Sequence, residues 1–305
     1  MSTEAAFERL SDRVGGQVRR NEPLARHTSF RIGGPAALFV ECDSVSDLSA
    51  ALSIAAEEGL AWTILGKGSN VLASDSGYDG LVIVLGREFK RFSLDGDHLR
   101  CGAAVILAVV VQEAFKRGLT GLEFAVGVPG TVGGALAMNA GSRDAWIGSI
   151  VEDLTVYSPD RGLFCVRGDE VAWSYRHAGI PRAAVLVEAS LRLEVGDVDA
   201  IRRTMEASLR RRKSTQPLGL PSAGSVFVNP DGDSAGRLIE AAGLKGTAIG
   251  GAAISDVHAN FIVNTGGATA ADVVAVIARI RDTIRDKDGI ELEPEIRFLG
   301  SFEPA

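Results

Sequence analysis

The chain has 305 residues, 46% of them hydrophobic and 23% charged, the mix of a packed globular protein with length for about two domains. Its net charge of -7 excludes general nucleic-acid binding, which relies on basic surface to neutralise phosphate. Three widely spaced cysteines, Cys42, Cys101 and Cys165, make neither a disulfide framework nor a zinc-binding pattern, and no metal site is expected.

The opening MSTEAAFERLSDRV is polar and acidic, unlike a signal peptide. The longest uncharged apolar run, AAVILAVVV at 103–111, falls well short of the roughly 20 residues a membrane span requires. A soluble, cytoplasmic protein is expected. Short β-branched runs then alternate with helical patterns. AALFVEC reads as a strand, SVSDLSAALSIAAEEGL as an amphipathic helix with Ser or Asp caps, and WTILG as a strand. After a polar glycine-rich loop come the strand GLVIVLG and a second helix, VILAVVVQEAFKRGL, ending at Gly118. The stretch GVPGTVGGALAMNAG reads as a glycine-dense loop, followed by strand-like IVEDLTVYSP, GLFCVRG and AVLVEASLRLEV.

From Asp197 the texture changes. A charged helix, DVDAIRRTMEASLRRRK, leads to STQPLGLPSAG, whose Pro and Gly cannot continue it. Beyond lie a strand near SVFVN, the helix SAGRLIEAAGL, the strand ANFIVN, the helix ATAADVVAVIARIRDTIRDKDG and a final strand in ELEPEIRFLG. The boundary falls near residue 197, between an α+β first part and a smaller α/β second part.

Two glycine loops carry the chemical interest. LGKGSNVL presents Gly66, Lys67, Gly68, Ser69, Asn70 and Val71; the second loop presents Gly130, Thr131, Gly133 and Gly134. Glycine lets main chain approach a ligand closely, and successive N–H groups can form an anion-binding nest. Neither loop is a Walker sequence or the GxGxxG dinucleotide pattern. Each alone reads more often as a structural turn; as a pair they suit a dinucleotide held outside a Rossmann fold. By residue type alone Ser225, in GSVFVNP, is a turn or cap residue, Arg176 a surface cation and Glu295 a solvated strand residue.

Seven stretches in fixed order alter that reading: HTSFRIGGPA, LGKGSNVL, GLEFAVGVPGTVGGALAMNAG, RRKSTQPLGLPSAGSVFVNP, LIEAAGLKGTAIGGAAIS, HANFIVN and LEPEIRFLG. Together they resemble the UDP-N-acetylenolpyruvoylglucosamine reductase family across nearly the whole chain. The resemblance implies an α+β protein: a vanillyl-alcohol-oxidase/PCMH-like FAD-binding domain at 1–196, in two lobes split near 88, and a substrate-binding domain at 197–305 whose last strand, about 296–303, returns to the first lobe. SYRHAGI passes directly to AVLVEASLRL, similar to the shorter subtype without a substrate-capping insertion. The resemblance further implies non-covalent FAD with its pyrophosphate in the glycine loops, NADPH as hydride donor, and the enolpyruvyl substrate and NADPH using one site in turn. The product is UDP-N-acetylmuramate, a peptidoglycan precursor. No nucleic-acid or membrane partner is expected, and the protein is expected to be a monomer.

In this family's reaction hydride adds to the vinyl CH2 carbon, and negative charge develops on the neighbouring carbon and its carboxylate. Resemblance assigns Ser225 as proton donor to that carbon, Arg176 as the carboxylate's cation, and Glu295 as its hydrogen-bonding partner in the protonated form. Asn139, Lys213, Gln216 and Asn229 are expected on the substrate, while His258 is expected to be a structural hydrogen-bonder. His27 is the one histidine of these motifs expected near the flavin ring. Three departures from the family pattern stand out: Val228 where Lys is usual, SYRHAGI in place of GYRxSxF, and MNAGSRDAWIG without NAGAYG. The alternatives are another FAD oxidoreductase of the same fold and a flavin-binding protein without reductase activity.

Overall fold

The computed structural model describes residues 3–142, 144–181 and 183–302. Arg143, within MNAGSRDAWIG, and Glu303, at the end of the expected returning strand, lie outside the described residues. Contacts divide the chain into two units. The first holds the chain up to Arg20, Leu38–Lys67 and Gly80–Arg211; the second holds Asn21–Ala37, Gly68–Asp79 and everything described from Arg212 on. Two short early segments thus belong with the C-terminal part.

Two cores organise the first unit. Helices α1 (Thr3–Arg13) and α2 (Val45–Glu57) bury Ala6 and Leu10, and Leu48, Ala51, Leu52, Ile54 and Ala55 respectively. These pack with Leu38, Val40, Leu81 and Ile83 from a sheet in the order Val18–Pro23, Pro35–Cys42, Tyr78–Leu85, Trp62–Ile64. Ser44 starts α2 as a cap: its hydroxyl accepts from the Asp47 N–H. The second core lies on an antiparallel five-stranded sheet in the order Gly162–Arg167, Val151–Ser158, Val185–Arg192, His98–Gly102, Phe92–Asp95. Against Leu99, Leu154, Val156, Ala189 and Leu191 pack α3 (Leu107–Lys116), α4 (Val132–Ala137) and the start of α5 (Val198–Thr215).

Helix α4 corrects the sequence reading of an uninterrupted loop. Thr131 caps it, accepting from the Gly134 N–H at 3.2 Å, and Val132, Ala135 and Leu136 are buried. Gly133 weakens helix propensity by about 1 kcal/mol, yet a Cβ there would stand 2.9 Å from the Ala103 Cβ, so close packing requires the glycine. α5 also runs further than its charged run, to Thr215, and stops ahead of Pro217.

In the second unit an antiparallel sheet runs in the order Ser222–Ser225, Phe261–Asn264, Ala252–Ile254, Ala248–Ile249. α6 (Ala235–Ala241) and α7 (Ala270–Asp288) supply Leu238, Ile239, Val273, Val276, Ile277, Ile280 and Ile284 to its core, where Phe30, Ile32 and Leu72 join them. Thr269 and Asp272 form a capping box at the start of α7, and Gly289, left-handed at φ 69°, ends it. Asp75 accepts from the N–H groups of Ala270 and Ala271, which ties the 68–79 segment to this helix. Arg297–Leu299 pairs in parallel with Val71–Ala73.

The strand placed near SVFVN lies earlier than expected, at Ser222–Ser225. Its register to Phe261–Asn264 shifts between Ser222 and Ser225, with Gly224 at φ 78°. An inserted residue of this kind bends a strand and ends regular pairing. The hairpin Ala248–Ile249 with Ala252–Ile254 lies inside TAIGGAAIS, where no strand is expected from sequence.

Candidate functional site

Ser225 ends its strand paired with Phe261, half-buried. The three residues after it are held on both edges. On one side the Val226 N–H donates to the Asn260 carbonyl at 2.9 Å. The Phe227 N–H donates to the Asn260 side-chain oxygen at 2.9 Å, and the Asn260 amide nitrogen donates back to the Phe227 carbonyl at 2.9 Å. On the other side the Glu295 N–H donates to the Val226 carbonyl at 2.7 Å and the Val228 N–H to the Glu293 carbonyl at 2.9 Å. Phe227 and Pro294 form an isolated antiparallel bridge, and the Phe227 side chain is fully buried. Ser225 and Glu295 therefore sit on adjacent, mutually bonded segments.

The first glycine loop joins the same network. The Asn70 amide nitrogen donates to the Glu295 carbonyl at 3.1 Å, and the Asn70 carbonyl accepts from the Arg297 N–H at 2.9 Å. Gly68 is left-handed at φ 59°, and a Cβ there would lie 2.2 Å from the His27 carbonyl oxygen, so only glycine fits. Ser29 links loop to strand: its N–H donates to the Gly68 carbonyl at 3.1 Å and its hydroxyl to the Ser222 carbonyl at 2.6 Å. Ser69 and Val71 are half-buried, and Lys67 is exposed.

Within the first unit, Gly66 faces the second glycine loop. A Cβ on Gly66 would stand 2.9 Å from the Thr131 hydroxyl, and Gly130 is left-handed at φ 127°. The Gly130 carbonyl accepts from the Leu107 N–H, and Gly133 donates to the Ala103 carbonyl at 2.8 Å. Gly134 is exposed at the start of α4. These loops present main chain at separations a side chain would forbid, the surface that a pyrophosphate requires. The residues fit such a group.

Arg176 occupies the two-residue turn of the hairpin Trp173–Ser174/His177–Ala178, left-handed at φ 57°. One guanidinium nitrogen donates to the Gly141 carbonyl at 3.3 Å, and its carbon lies 5.1 Å from the Tyr175 ring centroid. Holding a bulky residue left-handed costs about 1–2 kcal/mol, and strain of this kind collects at functional positions. Asn139, 7% exposed and itself left-handed at φ 40°, holds the turn. Its amide nitrogen donates to the Ser174 carbonyl at 3.0 Å and its oxygen accepts from the Gly148 N–H at 3.1 Å. One N–H and one acceptor position of this amide thus bond main chain. Beside it the Trp173 indole donates to the Gly168 carbonyl, and Gly148 is closed to a side chain, since a Cβ would lie 2.5 Å from the Trp173 ring.

Lys213 is exposed and Gln216 half-buried at the end of α5; exposed Asn229 accepts from the Ala235 N–H at 3.1 Å. His258 accepts the Asn260 N–H at its Nδ1, 3.2 Å away, and burial, with Lys245 adding repulsion, holds its pKa below the ordinary histidine value. That is the structural role expected of it. The His27 Nε2 lies 2.9 Å from a Glu22 carboxylate oxygen. Sequence reasoning missed Asn260 and Ser29; the one available signal was that each interrupts an apolar or motif stretch with a short polar side chain. Among the described residues no group of three or more His, Cys, Asp or Glu could hold a metal ion, and no helix is long and apolar enough to cross a membrane.

Comparison with known proteins bears on both halves. The family model described as "FAD binding domain" matches residues 36–161, and that described as "UDP-N-acetylenolpyruvoylglucosamine reductase, C-terminal domain" matches 216–299. The chain is 45% identical to UDP-N-acetylenolpyruvoylglucosamine reductase of Heliobacterium modesticaldum, over 93% of this chain and 91% of the relative. To the Moorella thermoacetica protein of the same name it is 46% identical, over 93% and 94%. A solved UDP-N-acetylenolpyruvylglucosamine reductase from Thermus caldophilus superimposes with TM-score 0.82 at 34% identity, covering 93% of this chain and 99% of that one.

Proposed function

Because this chain belongs to the UDP-N-acetylenolpyruvoylglucosamine reductase family, we propose that Ser225, Glu295 and Arg176 carry the reduction of UDP-N-acetylglucosamine enolpyruvate to UDP-N-acetylmuramate. FAD, when bound, supplies two-electron transfer from NADPH to the vinyl CH2 carbon. Gly66–Val71 and Gly130–Gly134 hold its pyrophosphate, chiefly through main chain and the hydroxyl and amide groups of Ser69 and Asn70.

The protein's own groups manage the charge and the proton at the neighbouring carbon. Negative charge grows there and spreads into the carboxylate. The Arg176 guanidinium meets the carboxylate charge, and Glu295 hydrogen-bonds it. Ser225 gives its hydroxyl proton to the carbon, completing the lactyl group, and regains a proton from water. A neutral hydroxyl suffices because the enolate carbon is strongly basic, so Ser225 needs no His or Asp beside it. Preorganised donors of the Arg176 kind contribute about 10²–10³ in rate, and a positioned general acid about 10²–10⁴.

One observation carries this reading: Asn70 of the flavin loop, Glu295 and the segment after Ser225 share a continuous run of hydrogen bonds, Asn70 to Glu295 and Glu295 to Val226. These bonds tie the three segments to one another through main chain, which supports assigning Asn70, Glu295 and Ser225 to one site. Asn139, Lys213, Gln216 and Asn229 remain proposed contacts to the substrate, and Asn139 also supports the reaction by holding the Arg176 turn. Substrate and NADPH take the site in turn, and the enzyme works in the cytoplasm as a monomer.

Stopped-flow absorbance of Ser225→Ala tests the assignment. Flavin reduction by NADPH should persist, while reoxidation by the enolpyruvyl substrate slows about 10²–10⁴-fold. Reoxidation at the wild-type rate ends the case for Ser225.

A further inference from the structure

We propose that Asn260 is a positioning residue for the proton-donating segment, its side-chain amide standing in for a missing strand neighbour. The inference rests on the assignment of Ser225 above. Regular pairing of Ser222–Ser225 with Phe261–Asn264 breaks at the Gly224 bulge, and Ser225 with Phe261 is the last pair. Phe227 then has buried main chain and, on this edge, no strand residue to bond it, its bridge to Pro294 lying on the other. The Asn260 amide fills that place with one acceptor and one donor, both at 2.9 Å, and its carbonyl takes the Val226 N–H. Asn260 is only 4% exposed, so its amide must be satisfied inside the protein.

The geometry matters to the chemistry. A hydroxyl that protonates carbon has no ionic anchor, so its place is inherited from the backbone that carries it. Asn260 holds Val226 and Phe227 from one edge, and Glu293 and Glu295 hold Val226 and Val228 from the other. Releasing the side-chain bonds of the first edge loosens the segment that carries Ser225, while the Glu295 N–H bond to Val226 on the other edge stays in place. Displacement of a reacting group by about 1 Å can slow a reaction about 10²-fold.

The test compares Asn260→Ala, Ser225→Ala and the double variant. Asn260→Ala should slow reoxidation of reduced flavin by the enolpyruvyl substrate about 10–10²-fold. Flavin content and reduction by NADPH should stay within about twofold, since neither needs the proton donor. Hydrogen exchange, read by mass spectrometry without substrate, should accelerate at the Phe227 amide, whose acceptor is the Asn260 side chain. The double variant should be scarcely slower than Ser225→Ala, because Asn260 acts through the hydroxyl already removed. Should Asn260→Ala fail to fold, Asn260→Ser, whose shorter hydroxyl makes at most one of the two bonds, should show the same split with a smaller effect. Wild-type reoxidation in the folded Asn260 variant beside a slow Ser225→Ala overturns this inference alone. An equal fall in both half-reactions, or effects that multiply in the double variant, likewise overturns it in favour of a merely structural role. Wild-type reoxidation in Ser225→Ala overturns the function assignment itself and this inference with it.

Discussion

Replacing Gly68 by alanine should weaken FAD binding while leaving the fold intact. The new Cβ would lie 2.2 Å from the His27 carbonyl oxygen and 2.7 Å from the Thr28 Cα, against ordinary contact at 3.4–4 Å. The loop must therefore retreat by about 1 Å, and core-like crowding of this kind costs about 1–3 kcal/mol. Alanine at φ 59° adds about 1 kcal/mol. Retreat also breaks the bond from the Ser29 N–H to the Gly68 carbonyl, worth about 1 kcal/mol. Together about 3–5 kcal/mol is set against the binding-competent loop, at least about 10²-fold in FAD affinity. Gly59→Ala is the control: it too is left-handed, at φ 67°, but nothing lies within 4 Å of its Cβ. Flavin fluorescence titration of the two apoproteins, with circular dichroism as the check on folding, reads the difference. Gly68→Ala binding FAD as tightly as Gly59→Ala would refute the steric argument and remove this loop from the cofactor site.

Arg176→Ala and Glu295→Ala should each lower turnover about 10²-fold or more in the substrate half-reaction; stopped-flow traces showing an equal loss in reduction by NADPH would reassign them to flavin placement. Cys165 is exposed, while burial pushes the Cys42 and Cys101 thiols up to about 12, so Ellman's reagent should label Cys165 alone in the native protein and all three in denaturant. Fast native labelling of Cys42 or Cys101 contradicts the packing described. His258 has its pKa depressed by burial, so the unfolded chain binds its proton more readily. Stability from this group is therefore present above the ordinary histidine pKa and falls as pH drops through it. Thermal melts from pH 7.5 to 5 should show a shallower decline for His258→Gln than for the wild type; parallel curves would exclude the contribution.

Local signals were legible, and long-range ones were not. Helix α7 could be bounded from sequence because Thr269 with Asp272 and Gly289 are caps that act within one turn. The glycine loops were visible for the same reason, since Gly68 and Gly130 answer to their own backbone angles. Helix α4 was hidden because the packing of Gly133 on Ala103 outweighs its poor propensity. SVFVN looked like a strand by its short apolar run of β-formers, yet the bulge at Gly224 ends the ladder at Ser225, and a side chain 33 residues away completes it. Asn139 was placed on the substrate from motif position; only the structure shows that its amide also bonds the main chain of Ser174 and Gly148. Likewise the membership of 21–37 and 68–79 in the second unit depends on contacts such as Asp75 with the start of α7, which no periodicity records.

The most direct test is one anaerobic cycle of the wild-type protein followed by flavin absorbance. NADPH should bleach the bound FAD. UDP-N-acetylglucosamine enolpyruvate, added alone to the reduced protein, should then restore the oxidised spectrum with formation of an equal amount of UDP-N-acetylmuramate. Bleaching by NADPH without reoxidation by this substrate would leave a flavin-binding protein of the family's fold and contradict the reductase.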